Sequence, residues 1–278
     1  MRPRAAAAAV ATAFILIGCS KADKADDTAQ APVEPVLVVV TATDFAFTAP
    51  DTIASGPTVF RLLNQGAEAH HISMFRLDSA KTMADMQSVP EGSSPGWLVA
   101  VGGPNAAMPG DSIRATLNLE PGNYAMLCFI PSADGKPHFM KGMLRPITVV
   151  AASGAVAAEP QADVVVNLVD YGFQFTPTLS AGRHTLRINN TAAQPHEMLL
   201  VRMQAGKTGQ DFLNWTNSMQ GPPPGEPLNG ISGMDPGQHA FVTVNFTPGI
   251  YTLICFVPDS KDGKPHFLHG MLQDITVS

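Results

Sequence analysis

The residues of this chain that could do chemistry come in two matching sets. Cys128 lies in Gly122-Asn-Tyr-Ala-Met-Leu-Cys-Phe-Ile-Pro131, and the segment returns as Gly249-Ile-Tyr-Thr-Leu-Ile-Cys255-Phe-Val-Pro258. Asp134-Gly-Lys-Pro-His138 returns as Asp262-Gly-Lys-Pro-His266, and Gly142-Met143-Leu144 as Gly270-Met271-Leu272. Upstream, Asn64 followed by His70 is answered by Asn190 followed by His196. A lone cysteine near a lone histidine is most often a small buried residue beside a satisfied core imidazole. The same types recurring in order, twice, argue for a shared task. With Cys19 set aside (below), the two remaining thiols could form one disulfide or each be held by a metal. They occupy equivalent buried positions of separate copies, where their Cα atoms would hardly approach the ~6 Å a disulfide needs. The metal reading is preferred.

The elements that must position these residues are also written twice. Asp44-Phe-Ala-Phe47 answers Asp170-Tyr-Gly-Phe173, and Gly56 answers Gly182. The Ala/Gly/Ser/Glu/Pro segment 151–161 reads as a linker between copies at 36–150 and 162–278. Within the first copy, Val36–Thr41, Val59–Asn64, Ile72–Leu77, Ile113–Leu119, Tyr124–Ile130 and Ile147–Val150 are short apolar or alternating runs punctuated by Pro and Gly. Thr82-Met-Ala-Asp85 and Thr208-Gly-Gln-Asp211 share the spacing of a capped helix start, so each copy should carry one short helix. About seven strands per copy predict an all-β chain of two tandem Greek-key β-sandwiches.

Each copy ends with Tyr, three residues, Cys, a loop, His, four residues, Met and a closing strand, with one His far upstream at a strand end after Asn. This pattern resembles the cupredoxin, or blue copper, family over nearly all of residues 36–278. The resemblance implies a mononuclear copper site per copy, with ligands His70, Cys128, His138 and Met143 in the first and His196, Cys255, His266 and Met271 in the second. It also implies bracing roles for Asn64 and Asn190. Two imidazoles, a thiolate and a distant thioether serve Cu(I) and Cu(II) with little rearrangement, which suits electron transfer. The family usually places Cys and the second His closer together. Here nine and ten residues intervene, centred on Asp134-Gly135 and Asp262-Gly263, a turn dipeptide through which the excess can loop out.

The remaining residues set limits. Arg2 and Arg4 precede an apolar run from Ala5 to Ile17 that ends at Gly18-Cys19, which resembles a bacterial lipobox. An export signal over 1–18, lipidation at Cys19, and a flexible tether over 19–35 are expected. Ser20 after the Cys favours the outer membrane over the inner under the family rule, on the periplasmic side. Loss of the two signal arginines takes the net charge from −6 to −8, which argues against nucleic acid and suits a redox partner with a basic docking surface. His71 is expected at the surface, because strand neighbours of His70 face the other way and its counterpart is Glu197. His184, His239 and His269 lack histidine counterparts and read as solvated, and most of the thirteen Met as core filler. No His-x-His pair exists to hold a second centre, and the residues flanking each Cys are apolar. A non-enzymatic electron carrier is therefore expected, with copper delivery or storage, or a metal-free interaction module, as the alternatives.

Overall fold

The computed structural model describes residues 33–78, 80–89, 95–218 and 220–278, so the signal and nearly all of the tether lie outside the described residues. The first copy contributes β1 (Val36–Thr43), β2 (Ala46–Thr48), β3 (Thr52–Ala54), β4 (Gly56–Asn64), β5 (Ser73–Leu77), α1 (Met83–Gln87), β6 (Leu98–Gly102), β7 (Ser112–Leu119), β8 (Gly122–Leu127) and β9 (Leu144–Val150). The second contributes β10 (Val164–Val169), β11 (Gly172–Thr176), β12 (Gly182–Asn190), β13 (His196–Met203), α2 (Gly209–Thr216), β14 (Gly225–Met234), β15 (His239–Phe246), β16 (Gly249–Ile254) and β17 (Leu272–Val277).

The chain is all-β apart from the two short helices, as expected, and the alternating sequence explains the layers. Along β4 nearly every second side chain is buried, among them Phe60, Leu62 and Asn64, which is the two-residue period of a sheet with one face on a core. Both helices begin as their sequences imply. Thr82 and Thr208 accept from the backbone N–H of Asp85 and Asp211, whose carboxylates accept in return from the threonine N–H. Tyr124 and Tyr251 each donate a hydroxyl bond across a tight corner, to the carbonyls of Glu120 and Thr247, both at 2.9 Å.

The copies are joined more intimately than a tandem arrangement implies. One sheet runs β11-β10-β12-β15-β7-β4-β1-β2 and the other β17-β16-β13-β14-β6-β5-β8-β9-β3, so both cross from one copy to the other. The joins are β7 with β15 and β6 with β14, antiparallel, and in each join a strand meets its own counterpart. That is the pairing of a pseudo-two-fold axis, with Pro104 opposite its counterpart Ile231. Each copy alone would expose two unpaired edges there; together they cover them. One hydrophobic cluster, from Val38 through Ile113, Ile231 and Met234 to Val277, runs through both copies. β6, which pairs with β5 in its own copy and with β14 across the join, is missing from the expected runs because its sequence has no alternation to mark it.

Two glycines beside the join allow a close backbone approach within each copy. Gly103 and Gly230 both have φ +156°, and a Cβ there would lie 2.1 Å from the Ile72 carbonyl oxygen and 2.0 Å from that of Met198. Gly110 and Gly237, with φ +86° and +82°, face open space. Gly110→Ala and Gly237→Ala should cost only the ~1–2 kcal/mol of an L-residue in left-handed backbone. Gly103→Ala and Gly230→Ala should cost clearly more, because backbone must move. Denaturant titration of the four variants checks this, and equal losses in both pairs would contradict it.

Candidate metal centres

The donors come together at one end of each sandwich. His70 stands in a bridge to Ala107 just before β5, Cys128 follows β8, His138 opens a 3₁₀ turn (His138–Lys141), and Met143 precedes β9. In the second copy His196 opens β13, Cys255 follows β16, His266 opens the turn His266–His269, and Met271 precedes β17. The long Cys–His loops do loop out as turns. Gly135 and Gly263 take φ +77° and +71°, and the loops close at Pro131–Pro137 and Pro258–Pro265. Backbone bonds then tie the donors together: Cys128 N–H donates to Met143 O, and Met143 N–H to His138 O, with Cys255, Met271 and His266 repeating the pattern.

All eight residues are fully buried. In the first centre the Nδ1 atoms of His70 and His138 are 3.1 Å apart, and Cys128 Sγ is 3.5 Å from His138 Nδ1. In the second, Cys255 Sγ is 3.9 Å from His196 Nδ1 and 3.4 Å from His266 Nδ1. His70, Cys128 and His138, and likewise His196, Cys255 and His266, thus form compact donor sets. Met143 and Met271 are packed in beside them as wholly buried side chains.

The other ring nitrogens decide what these sets can hold. His70 Nε2 faces Asp44 Oδ1 at 3.3 Å, and His138 Nε2 faces Glu68 Oε2 at 2.9 Å. His196 Nε2 faces Asp170 Oδ1 at 2.9 Å. A carboxylate only accepts, so each of these Nε2 atoms carries the hydrogen and each Nδ1 of the neutral ring presents a bare lone pair. Two lone pairs at 3.1 Å in a dry pocket repel unless a cation stands between them. The donor set therefore fits a soft metal ion, and its two imidazoles and one thiol fit a type 1 copper site. His266 is the exception: its Nε2 has no hydrogen-bond partner, and the nearest carboxylate, Asp259, is 3.7 Å away.

Burial shapes the charges. It pushes the Cys128 thiol up to about 12 and Cys255 higher still, although His71 N–H and Glu197 N–H point at the two sulfurs from 3.5 and 3.4 Å. Burial also holds His70 and His196 below the usual imidazole range, and His266 at about 4. Asn64 and Asn190 brace the loops. Asn64 Nδ2 donates to the carbonyls of Glu68 and Ala107, and its Oδ1 accepts from Gly66 N–H; Asn190 does the same to Gln194, Met234 and Ala192.

The repeated Asp-aromatic pair also has a role that sequence reasoning did not assign. Asp44 and Asp170 hold the first imidazole of each site. Phe45 and Tyr171, at φ +67° and +64°, lay their rings edge-on against the second, with centroids 5.3 Å from His138 and 5.6 Å from His266. Non-glycine residues rarely adopt this backbone, so the turn is held by what it touches. The carboxylate beside the second imidazole changes loops between copies. It is Glu68 in the first, whose counterpart is Gln194. In the second it is Asp259, whose counterpart is Ser132 and which Gln194 Nε2 holds at 3.0 Å.

One expectation is overturned. His71 and Glu197 are not surface residues but buried, 6 % and 7 % exposed. They do face away from the ligands, yet that other face is covered, Glu197 by Asn105 from across the join and His71 by Phe129 of its own copy. His71 Nε2 accepts from Phe129 N–H at 2.9 Å, and Glu197 Oε1 from Phe256 N–H at 2.8 Å. Burial sets His71 at about 4 and Glu197 at about 7. His184, His239 and His269 are part-exposed and stand against Asp163, Glu159 and Asp262. Cys128 and Cys255 are free thiols.

No protein-family model and no curated protein matches the chain. Solved structures do match in fold. A dithionite-reduced auracyanin from Roseiflexus castenholzii is 20 % identical over 41 % of this chain and 97 % of its own, at a TM-score of 0.32. A blue copper oxidase from Nitrosomonas europaea is 16 % identical over 87 % of this chain and 86 % of its own, at 0.26. A copper-containing nitrite reductase from Thermus scotoductus is 12 % identical over 87 % of this chain and 61 % of its own, at 0.24. The oxidase and the reductase, like the multicopper oxidase and laccase that also match, are enzymes, so the expectation of a non-enzymatic chain is not upheld. That expectation weighed only ligands adjacent in sequence, whereas the join brings residues of both copies together in space. Likeness at these TM-scores assigns no chemistry; the two His-Cys-His donor sets, set in a cupredoxin-like β-sandwich, fit type 1 copper sites.

Proposed function

We propose that the chain is an envelope lipoprotein that binds one copper ion in each of its copies, 36–150 and 162–278, and transfers electrons. The observation that carries this reading is the pair of buried His-Cys-His sets with their Nδ1 atoms and sulfur facing inward. Copper held there would pass between Cu(I) and Cu(II). The chain's own groups do the rest. Asp44, Glu68 and Asp170 fix the imidazole tautomers, the N–H groups of His71 and Glu197 support negative charge on the two sulfurs, and Met143 and Met271 fill the remaining side as candidate fourth ligands. A fold that already gathers the donors needs little movement between the two oxidation states. The tether and the lipid on Cys19 would hold the protein to the periplasmic face of the outer membrane, within reach of a redox partner with a basic docking surface.

Three outcomes are expected. Cys128→Ser and Cys255→Ser should each remove about half of the thiolate-to-copper absorption of the full chain, and the double variant all of it. A copper-loaded wild type without that band would contradict the ligand assignment. Because burial keeps both thiols protonated in the metal-free protein, an ion held by each thiolate should release the thiol proton at pH 7, and affinity should fall as pH is lowered. Copper titration in a pH-stat reads this directly, and uptake without proton release would contradict thiolate ligation. Cys19→Ala should block acylation and maturation; a variant that still fractionates with membranes as an acylated protein would place the anchor elsewhere.

A further inference from the structure

The residue after the first histidine ligand of each copy is buried at the join, and the two meet through one side chain. In the first copy His71 accepts the Phe129 N–H, one peptide from Cys128. In the second, Glu197 accepts the Phe256 N–H, one peptide from Cys255. Between them stands Asn105, 4 % exposed, on the pseudo-two-fold next to Pro104. Its Nδ2 donates to Glu197 Oε2 at 3.3 Å and to the Ile231 carbonyl at 3.5 Å, and its polar end lies beside the His71 ring. The donors and acceptors chain without conflict. His71 Nε2 is taken by Phe129, so the ring's Nδ1–H is the group left to give to the Asn105 oxygen, which frees the Asn105 NH₂ for Glu197.

The geometry points to a function for this link: we propose that His71, Asn105 and Glu197 form a hydrogen-bonded bridge that couples the two metal centres, so that they exchange electrons within the chain. The proposal rests on the copper reading above. It makes the join, rather than either site, the feature that distinguishes this protein from two carriers strung together. From sulfur to sulfur the route is the Cys128–Phe129 peptide, His71, Asn105, Glu197 and the Phe256–Cys255 peptide, with hydrogen bonds at Phe129–His71, Asn105–Glu197 and Glu197–Phe256 and a polar contact between His71 and Asn105. In one exchange the centre that gives up an electron is oxidised and the other is reduced by that electron. No bond is made or broken and no proton needs to cross. The three residues touch no metal; they position and connect.

Two measurements on the full-length chain test it. The first needs no copper. In the metal-free protein, hydrogen exchange at the Phe129 and Phe256 amides should be slow in the wild type, and Asn105→Leu should speed both, although the two amides belong to different copies. Unchanged exchange at either amide would overturn the bridge. The second is pulse radiolysis of the copper-loaded protein. The wild type should show a re-equilibration phase whose rate does not depend on protein concentration, and Cys128→Ser and Cys255→Ser should each lack it. Asn105→Leu should slow the phase several-fold with copper content and spectra unchanged. Glu197→Gln, which keeps an acceptor for Phe256 N–H, should preserve most of the rate. Should Asn105→Leu not fold, His71→Phe breaks the same link from the other end. An unaltered rate in a folded, fully loaded variant, or no such phase in a wild type holding two ions, would overturn the bridge and leave the copper reading standing. A chain that binds no copper would overturn both.

Discussion

The structure turns on the orientation of four imidazole rings. Where an Nε2–H is tied to a carboxylate, as in His70, His138 and His196, the lone pair on Nδ1 must point the other way, and in each copy two Nδ1 atoms and a thiol converge in a pocket closed to water. Left to itself that arrangement is unfavourable: bare nitrogens face one another and a thiol is buried far from its comfortable ionisation range. The surrounding structure tolerates it because each donor is fixed by backbone. Cys and Met are locked by a backbone bond just beyond the paired ends of neighbouring strands, the second His is pinned by its 3₁₀ turn, and the first His is held by a loop that an asparagine staples in three places. A pocket that is costly when empty and satisfied by a cation is preorganised for one.

The sandwich serves this by supplying stiffness at one end of each copy. Fusing the sheets across a pseudo-two-fold removes four strand edges and produces one continuous core, and it places a buried polar cluster between the two centres. Buried polar groups are expensive unless they are bonded, and here Asn105 donates to Glu197 while His71 and Glu197 each accept from a backbone amide. Their cost is easier to understand as part of the join's working than as filling, since an apolar cluster would close the same gap.

Much of this was legible in the sequence. The duplication located His70, Cys128 and His138 and their counterparts, the Asp-Gly dipeptides marked the looped-out turns, and the Thr-x-x-Asp spacing marked both helix starts. These signals are local, or repeat at a constant offset. What stayed hidden is non-local. Asp44 and Asp170 were visible as repeated residues, but their bond to an imidazole 26 residues on depends on how β1 and β4 pair. The carboxylate beside the second imidazole could not be found by matching copies, because Glu68 and Asp259 occupy different loops. His71 was misread for a reason that strand alternation cannot reveal. A side chain facing away from one core is exposed only if nothing covers that face, and here Phe129 covers His71 while Asn105 of the other copy covers Glu197. Weighing only ligands adjacent in sequence likewise led to the expectation of a non-enzymatic chain.

Diffraction from copper-loaded crystals of the full chain, recorded at the copper absorption edge, tests the assignment of the two centres most directly. Two anomalous peaks are expected, each bonded to one sulfur and two Nδ1 atoms: Cys128 with His70 and His138, and Cys255 with His196 and His266. The group of Asp259, Asp262 and His269, of which only Asp259 is buried, also gathers three donors, but its oxygens are already engaged by neighbouring N–H groups. Copper found there and missing from the buried sets, or bound in those sets through Nε2, would contradict the account.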